Sequence, residues 1–161
     1  MTLQRDHVRL LVVLSCVFAT LLLPGCKTHS PAPPADFSAP GWQIREGQAV
    51  WRASRGRSEL TGELVAATRT NGDFFLQFGK PPFTLATAQI THGQWQLAFG
   101  QKGHAWAGRG DPPSRCAWFE LRRVLIGMPR ARDWQLHGEA DALWKLENVR
   151  TGETLEGRFF P

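Results

Sequence analysis

Apolar and polar residues alternate with a period of two along most of the chain beyond Gly41. The segment 94–99 (QWQLAF) is the cleanest case. Trp95, Leu97 and Phe99 fall on one face and Gln94 and Gln96 on the other, as in a half-buried β-strand. Residues 48–54, 60–69, 74–78, 83–90 and 104–108 read as further strands, with Leu60, Leu64 and Ala66 sharing a face in one and Phe74, Leu76 and Phe78 in another. Turn signals separate them. Asn71-Gly72 is the dipeptide favoured in type I′ hairpin turns, where both central residues need positive φ, and His92-Gly93 marks a later reversal. Turns recurring about every 8–12 residues point to a meander within a sandwich or barrel.

After Pro112-Pro113 the period becomes helical. Trp118, Leu121 and Leu125 lie at i, i+3 and i+7, Val124 widens the stripe, and Arg115, Arg122 and Arg123 fall off it. Ser114 stands where an N-cap belongs, Gly127 suits the C′ position, and Pro129 prevents continuation, which predicts a helix over about 114–126. Strands resume at 134–136, 142–149 and 153–160, the last two around a Thr151-Gly152 turn. The expected fold is therefore mainly β: a curved antiparallel sheet, or half-open β-barrel, of about eight or nine strands with one inserted helix. A sheet that wide in so short a chain must curl, and the helix can plug its concave side. The inward aromatics then either enclose an apolar cavity or simply fill the core.

The N-terminal part follows neither period. Residues 10–23 (LLVVLSCVFATLLL) form an apolar run behind Arg5 and Arg9. Its length suits a signal peptide and falls short of the ~20 residues of a membrane-spanning helix. It ends in Leu23-Pro24-Gly25-Cys26, and a small residue followed by Cys resembles the lipobox of bacterial lipoproteins, in which the Cys is acylated and becomes the new N-terminus. The alternative is an uncleaved anchor with an incidental Cys. The expected organisation is a lipoprotein signal peptide over 1–25, acylated Cys26 and a Pro-rich tether over 26–40, and a single β domain over 41–161. Acyl chains on Cys26 would hold the protein to membrane lipid, each buried CH₂ contributing roughly 0.8 kcal/mol. Lys27, in place of an Asp, favours the outer membrane by analogy with enterobacterial sorting. The expected location is thus the bacterial cell envelope, lipid-anchored at the periplasmic face of the outer membrane.

Composition and charge narrow the chemistry. The chain has 161 residues and a formal charge of +5, which allows one domain. Removal of the signal takes Arg5, Arg9 and Asp6 and leaves 136 residues at +4. Cys16 leaves with the signal and Cys26 carries lipid, so Cys116 stays alone and no intramolecular disulfide can form. The chain contains no G-x-S-x-G, H-E-x-x-H, C-x-x-C, P-loop or G-x-G-x-x-G motif. His29, His92, His104 and His137 lack metal-ligand spacing, and Glu63, Asp73, Asp111, Glu120 and Asp141 show no evident pairing. Cys116, beside Arg115 near a helix start, is either a thiol of lowered pKa or a small buried apolar residue, the second being favoured. The expectation is a protein that is not an enzyme and has no cofactor or metal site. The cluster Arg52, Arg55, Arg57 raises nucleic acid, which export makes a poor partner; anionic lipid headgroups or lipopolysaccharide suit it better, and a solvated turn is the plainest reading. In 79–83 (GKPPF) two prolines lead to Phe83, which either projects or opens the next strand facing inward.

The order of these features resembles the LolB outer-membrane lipoprotein receptor and its LolA-like relatives. Pro82-Phe83 falls where that family has a Pro-Leu-Gly loop. Pro113 through Trp118, Leu121 and Leu125 to Gly127-Met128-Pro129 is similar to a family stretch of Pro, apolar helix and Gly-x-Pro, and Trp134 begins a strand as a Trp does there. The resemblance spans roughly residues 48–160. It implies a half-open antiparallel barrel with a helical lid, whose hydrophobic cavity accepts the acyl chains of lipoproteins and passes them to a membrane. Phe74, Leu76, Phe78, Trp95, Leu97, Trp118, Leu121 and Leu125 are the expected cavity lining, and Pro82 and Phe83 the expected membrane-inserting loop. The implied partners are membrane lipid through Cys26 and acyl chains or lipoprotein clients, with the chain acting as a monomer. The alternative is a structural or accessory envelope lipoprotein with a filled β core, meeting an envelope protein on a strand edge or aromatic patch.

Overall fold

The computed structural model describes residues 32–100, 104–139 and 142–161. The signal peptide, Cys26, the first part of the tether, His29 and Asp141 lie outside the described residues. The chain runs through β1 (Gln43–Arg52), β2 (Leu60–Thr68), β3 (Phe74–Lys80), β4 (Phe83–Thr91), β5 (Gln94–Phe99) and β6 (Ala105–Arg109). Helix α1 (Ala117–Leu125) follows, then β7 (Trp134–Gly138), β8 (Leu143–Asn148) and β9 (Thr154–Phe159). The mainly β fold expected from the alternation is present as one antiparallel sheet of nine strands, not closed, with a single helix among the described residues.

The strand order is β6-β5-β4-β3-β2-β1-β9-β8-β7. The first strand therefore sits in the middle, paired to β2 on one side and β9 on the other. The two edges, β6 and β7, are consecutive in the chain, and the segment joining them carries α1. Curvature follows from what this short helix touches. Nine residues of helix are about 13 Å long. Yet Phe119 meets Trp95 of β5 with ring centroids 5.9 Å apart, while α1 also contacts β8. In a flat sheet those strands would lie six spacings apart, about 29 Å. The sheet wraps around the helix.

Alternate residues of each strand build the core on the wrapped face. Register sets Leu64 beside Phe78, Ala66 beside Leu76, Phe74 beside Ile90 and Leu146 beside Leu155, all buried. Ala66, Ala86 and Ala88 are buried in the same core as Trp118, whose ring centroid lies 5.2 Å from those of both Phe78 and Trp51. The described core is drawn entirely from residues between Ala49 and Phe159. The domain thus carries its own core without the N-terminal segment.

Three local features depart from the sequence reading. The type I′ turn is at His92-Gly93, with φ of 50° and 71° between the paired Thr91 and Gln94, and not at Asn71-Gly72. In that other hairpin the amide of Gly72 donates to the Arg69 carbonyl, and only Gly72 has positive φ. The extra residue makes a longer loop closed by a glycine bulge, and the Asn71 side chain bonds Asp73 instead. The helix starts later than Ser114. Cys116 is the N-cap, extended at φ −116° and ψ 122°, and it makes no side-chain cap bond. Ser114 is diverted because its carbonyl accepts the indole N–H of Trp134 at 2.7 Å. The C-terminus is as expected: the amides of Gly127 and Met128 donate to the carbonyls of Val124 and Arg123, a Schellman motif with Gly127 at φ 68°.

The third departure concerns the tether. Its described part does not stand off the domain. The side-chain amide of Gln89 donates to the carbonyls of Ala32 and Pro33 at 3.1 and 3.4 Å. Phe37 packs edge-on against Phe75 at 5.0 Å and tilted against Trp42 at 5.2 Å, and the Trp42 indole donates to the Asp36 carbonyl. Phe75 points away from the core by strand parity, so residues 32–42 form a strap across the outer face. One aromatic in a Pro-rich run is enough to find the apolar surface that Phe75 leaves there.

Candidate functional site

The inner face of the sheet and the helix over it form the candidate site. Five of the eight predicted lining residues, Phe74, Leu76, Phe78, Trp118 and Leu121, are fully buried. Leu97 is 9% exposed, and Trp95 and Leu125 are partly buried against the same cluster. The structure thus brings all eight together. In it they cover one another and α1 as core side chains. Trp118 and Trp144 are buried with indole N–H groups that have no described partner, so both rings are held by packing alone.

Two carboxylates position the helix. Glu153 lies in the short connection before β9 and accepts the indole N–H of Trp51 at 2.9 Å. It also accepts the backbone N–H of Ala117, the first residue of α1, supplying from another element the cap that Cys116 does not. Burial raises its pKa to about 7 against the pull of both hydrogen bonds. Cys116 sits beside it. Burial, then the nearby Glu153 charge, push this thiol up to about 12, against the N–H groups of Trp118 and Phe119. Cys116 is partly buried against the core, and of its two readings the thiol of lowered pKa is the one this environment opposes.

Glu120, in the first turn of α1, ties the helix to the segment that follows it. It is fully buried on α1, accepts the backbone N–H of Ala131 at 2.9 Å, and lies 3.9 Å from the Arg123 guanidinium. Burial raises its pKa, opposed by the Ala131 bond and the charges of Arg123 and Arg130. Arg122 donates to the Gly72 carbonyl at 3.0 Å and ties the last turn of α1 to the β2–β3 hairpin. Burial and Arg123 lower its pKa while Asp111 raises it. Asp73, which showed no partner in the sequence, is an ion-pair partner of Arg69 at 3.7 Å and accepts the His92 amide at 3.0 Å.

The predicted loop residues lie apart from the core. Pro81-Pro82, joined by a cis peptide bond, form the turn between β3 and β4, and the paired residues flanking it are Lys80 and Phe83. Phe83 is both the first residue of β4 and a projecting side chain, 66% exposed. It borders a cleft of about 190 Å³ with Glu63, Gln77, Pro81 and Pro82. Among the described residues no group of three or more His, Cys, Asp or Glu is placed to hold a metal ion. Glu153 and Trp51 went unnoticed in the sequence because their partnership spans 102 positions and no local pattern marks it. The chain matches no protein-family model, and no curated protein matches it in sequence.

Proposed function

We propose that this chain is an outer-membrane lipoprotein, anchored through acylated Cys26, that shelters acyl chains on the inner face of its sheet and assists their delivery to the membrane. The observation that carries this reading is the open sheet. Its apolar face is covered by one short helix, where a barrel would be closed by hydrogen-bonded strands. An acyl chain entering there would take over contacts now made by Trp118, Leu121 and Leu125 of α1. The driving force is removal of methylene groups from water, about 0.8 kcal/mol each.

The tether length agrees with a role for Pro82 and Phe83 in the same bilayer. Cys26 is six residues from Ala32, at most about 20 Å of extended chain. Gln89, where the strap is pinned, is six residues along β4 from Phe83, again about 20 Å. The reading assigns no catalysis, no cofactor and no nucleic-acid partner, and takes the chain as a monomer.

Titration with a fluorescent fatty acid tests this. Saturable uptake is expected, with quenching of tryptophan emission, and Leu97→Asp should abolish it, with circular dichroism separating lost binding from lost folding. Absence of uptake by the folded wild-type chain would contradict the proposal. A second reading is favoured by the complete burial of Trp118 between Phe78 and Trp51: a filled core, and an accessory envelope lipoprotein acting through protein contacts at its strand edges.

A further inference from the structure

The end of the sheet that carries Phe83 is a rim of neighbouring connections. Register places them side by side: Arg52 pairs with Thr154, Trp51 with Leu60, and Lys80 with Phe83. The β1–β2 loop is tied to the β8–β9 turn by Arg55, whose amide donates to the Thr151 carbonyl and whose guanidinium donates to the Val149 carbonyl, each at 3.4 Å. Along this rim Val149, Leu60 and Phe83 are exposed apolar side chains. Between them stand the exposed cations Arg55, Arg57, Lys80 and Arg150.

The carboxylates of the rim are largely spent. Glu59 is 3.4 Å from Arg52, Asp133 is 3.3 Å from Arg150, and Glu153 is buried. Glu63 lies farther up the outer face, opposite Gly79. Arg55, Arg57 and Lys80 therefore give the rim a net positive charge around its projecting apolar groups. The opposite end mixes signs, with Arg69 paired to Asp73 and exposed Asp111 and Glu139 near Arg109 and Gly138.

We infer that this rim docks on bilayers rich in anionic phospholipid, Arg55, Arg57 and Lys80 meeting headgroup phosphates while Leu60 and Phe83 enter the interface. The inference rests on the reading that the domain works at a membrane, and adds which lipid charge it selects. Charge complementarity supplies the preference, since each cation near an anionic surface contributes a separate increment of attraction. The apolar groups supply depth, as a bilayer interface accepts side chains that water does not.

The test uses the chain from Lys27 onward, which lacks the acyl anchor and keeps the whole described core. It is sedimented with vesicles of pure phosphatidylcholine, and with vesicles of two parts phosphatidylcholine to one part phosphatidylglycerol. Partition onto the anionic vesicles is expected to exceed that onto neutral ones by at least about tenfold, and to collapse as salt shortens the Debye length to about 3 Å. The combined substitution Arg55→Ser, Arg57→Ser, Lys80→Ser should reduce it about 100-fold with an unchanged circular dichroism spectrum. Equal partition onto both vesicles, or a triple variant that binds like wild type, overturns the inference. Fatty-acid uptake is followed on the same samples. Uptake without vesicle preference removes the rim and keeps the acyl-binding reading, whereas vesicle preference without uptake does the reverse.

Discussion

Glu153 links the first residue of the helix to the central strand, and its protonation is where pH enters the fold. Burial raises its folded-state pKa to about 7, above an ordinary carboxylate at 4.5. The folded chain therefore holds more protons than the unfolded chain between these values, and stability falls as pH rises through that window. The neutral acid still offers a carbonyl oxygen to Trp51 and Ala117. Urea denaturation at about pH 5 and pH 8 should show wild type weaker at the higher pH, by roughly 1–3 kcal/mol. Glu153→Gln should shrink that difference, and an identical pH dependence in the variant would refute this role. Trp118 is the other decisive side chain. Its ring fills the space between Phe78 and Trp51, so Trp118→Ala should cost about 3–5 kcal/mol in chemical denaturation, and a loss under about 1 kcal/mol would mean the ring is not core. Residues of these two kinds differ in legibility. Alternation picked out Phe74, Leu76 and Phe78 because strand parity is local. Glu153 and Glu120 could not be read, because a buried carboxylate is explained only by partners that the fold brings to it.

At the scale of elements, most boundaries follow from local chemistry and the exceptions have local causes. The Schellman motif at Gly127 was legible because a glycine after an apolar stripe has few other uses. The type I′ turn falls at His92-Gly93 and not at Asn71-Gly72 because loop length, which Asn-Gly alone does not reveal, decides the matter. His92 consequently holds φ of 50°, which a non-glycine residue adopts at some cost. His92→Asn should raise stability by several tenths of a kcal/mol, visible as a higher Tm, since Asn is at ease in that region. A lowered Tm would show that the imidazole makes a contact worth keeping. Composition marks the segment as a tether and does not reveal the strap, whose packing depends on one residue, Phe37. If Phe37 is what fastens it, Phe37→Ser will speed limited proteolysis between residues 32 and 42 while leaving cleavage of the sheet unchanged. Equal cleavage rates would place the fastening at Gln89 instead.

The described molecule is a meander cut open between β6 and β7, with its first and last strands in the middle of the sheet and its helix in the segment between the edges. Strand count and class could be read from alternation and turns, yet strand order could not. Pairing of β1 with β9 joins segments far apart in the chain, and no periodic pattern encodes which strands are neighbours. The same limit applies to the site. Hydrophobic period identified the inner face, but whether that face is a filled core or a closed cavity depends on how α1 sits, a property of packing. The open sheet, its one covering helix and the basic apolar rim beside Phe83 are the features on which the proposed lipid-handling role rests. Native mass spectrometry of the chain from Lys27 onward, purified from cells without detergent, tests that account most directly. The account predicts added mass from a lipid or acylated peptide, lost on displacement by excess fatty acid. A clean unliganded mass, from protein that also takes up no fluorescent fatty acid, would contradict it and leave a closed core that acts through protein partners.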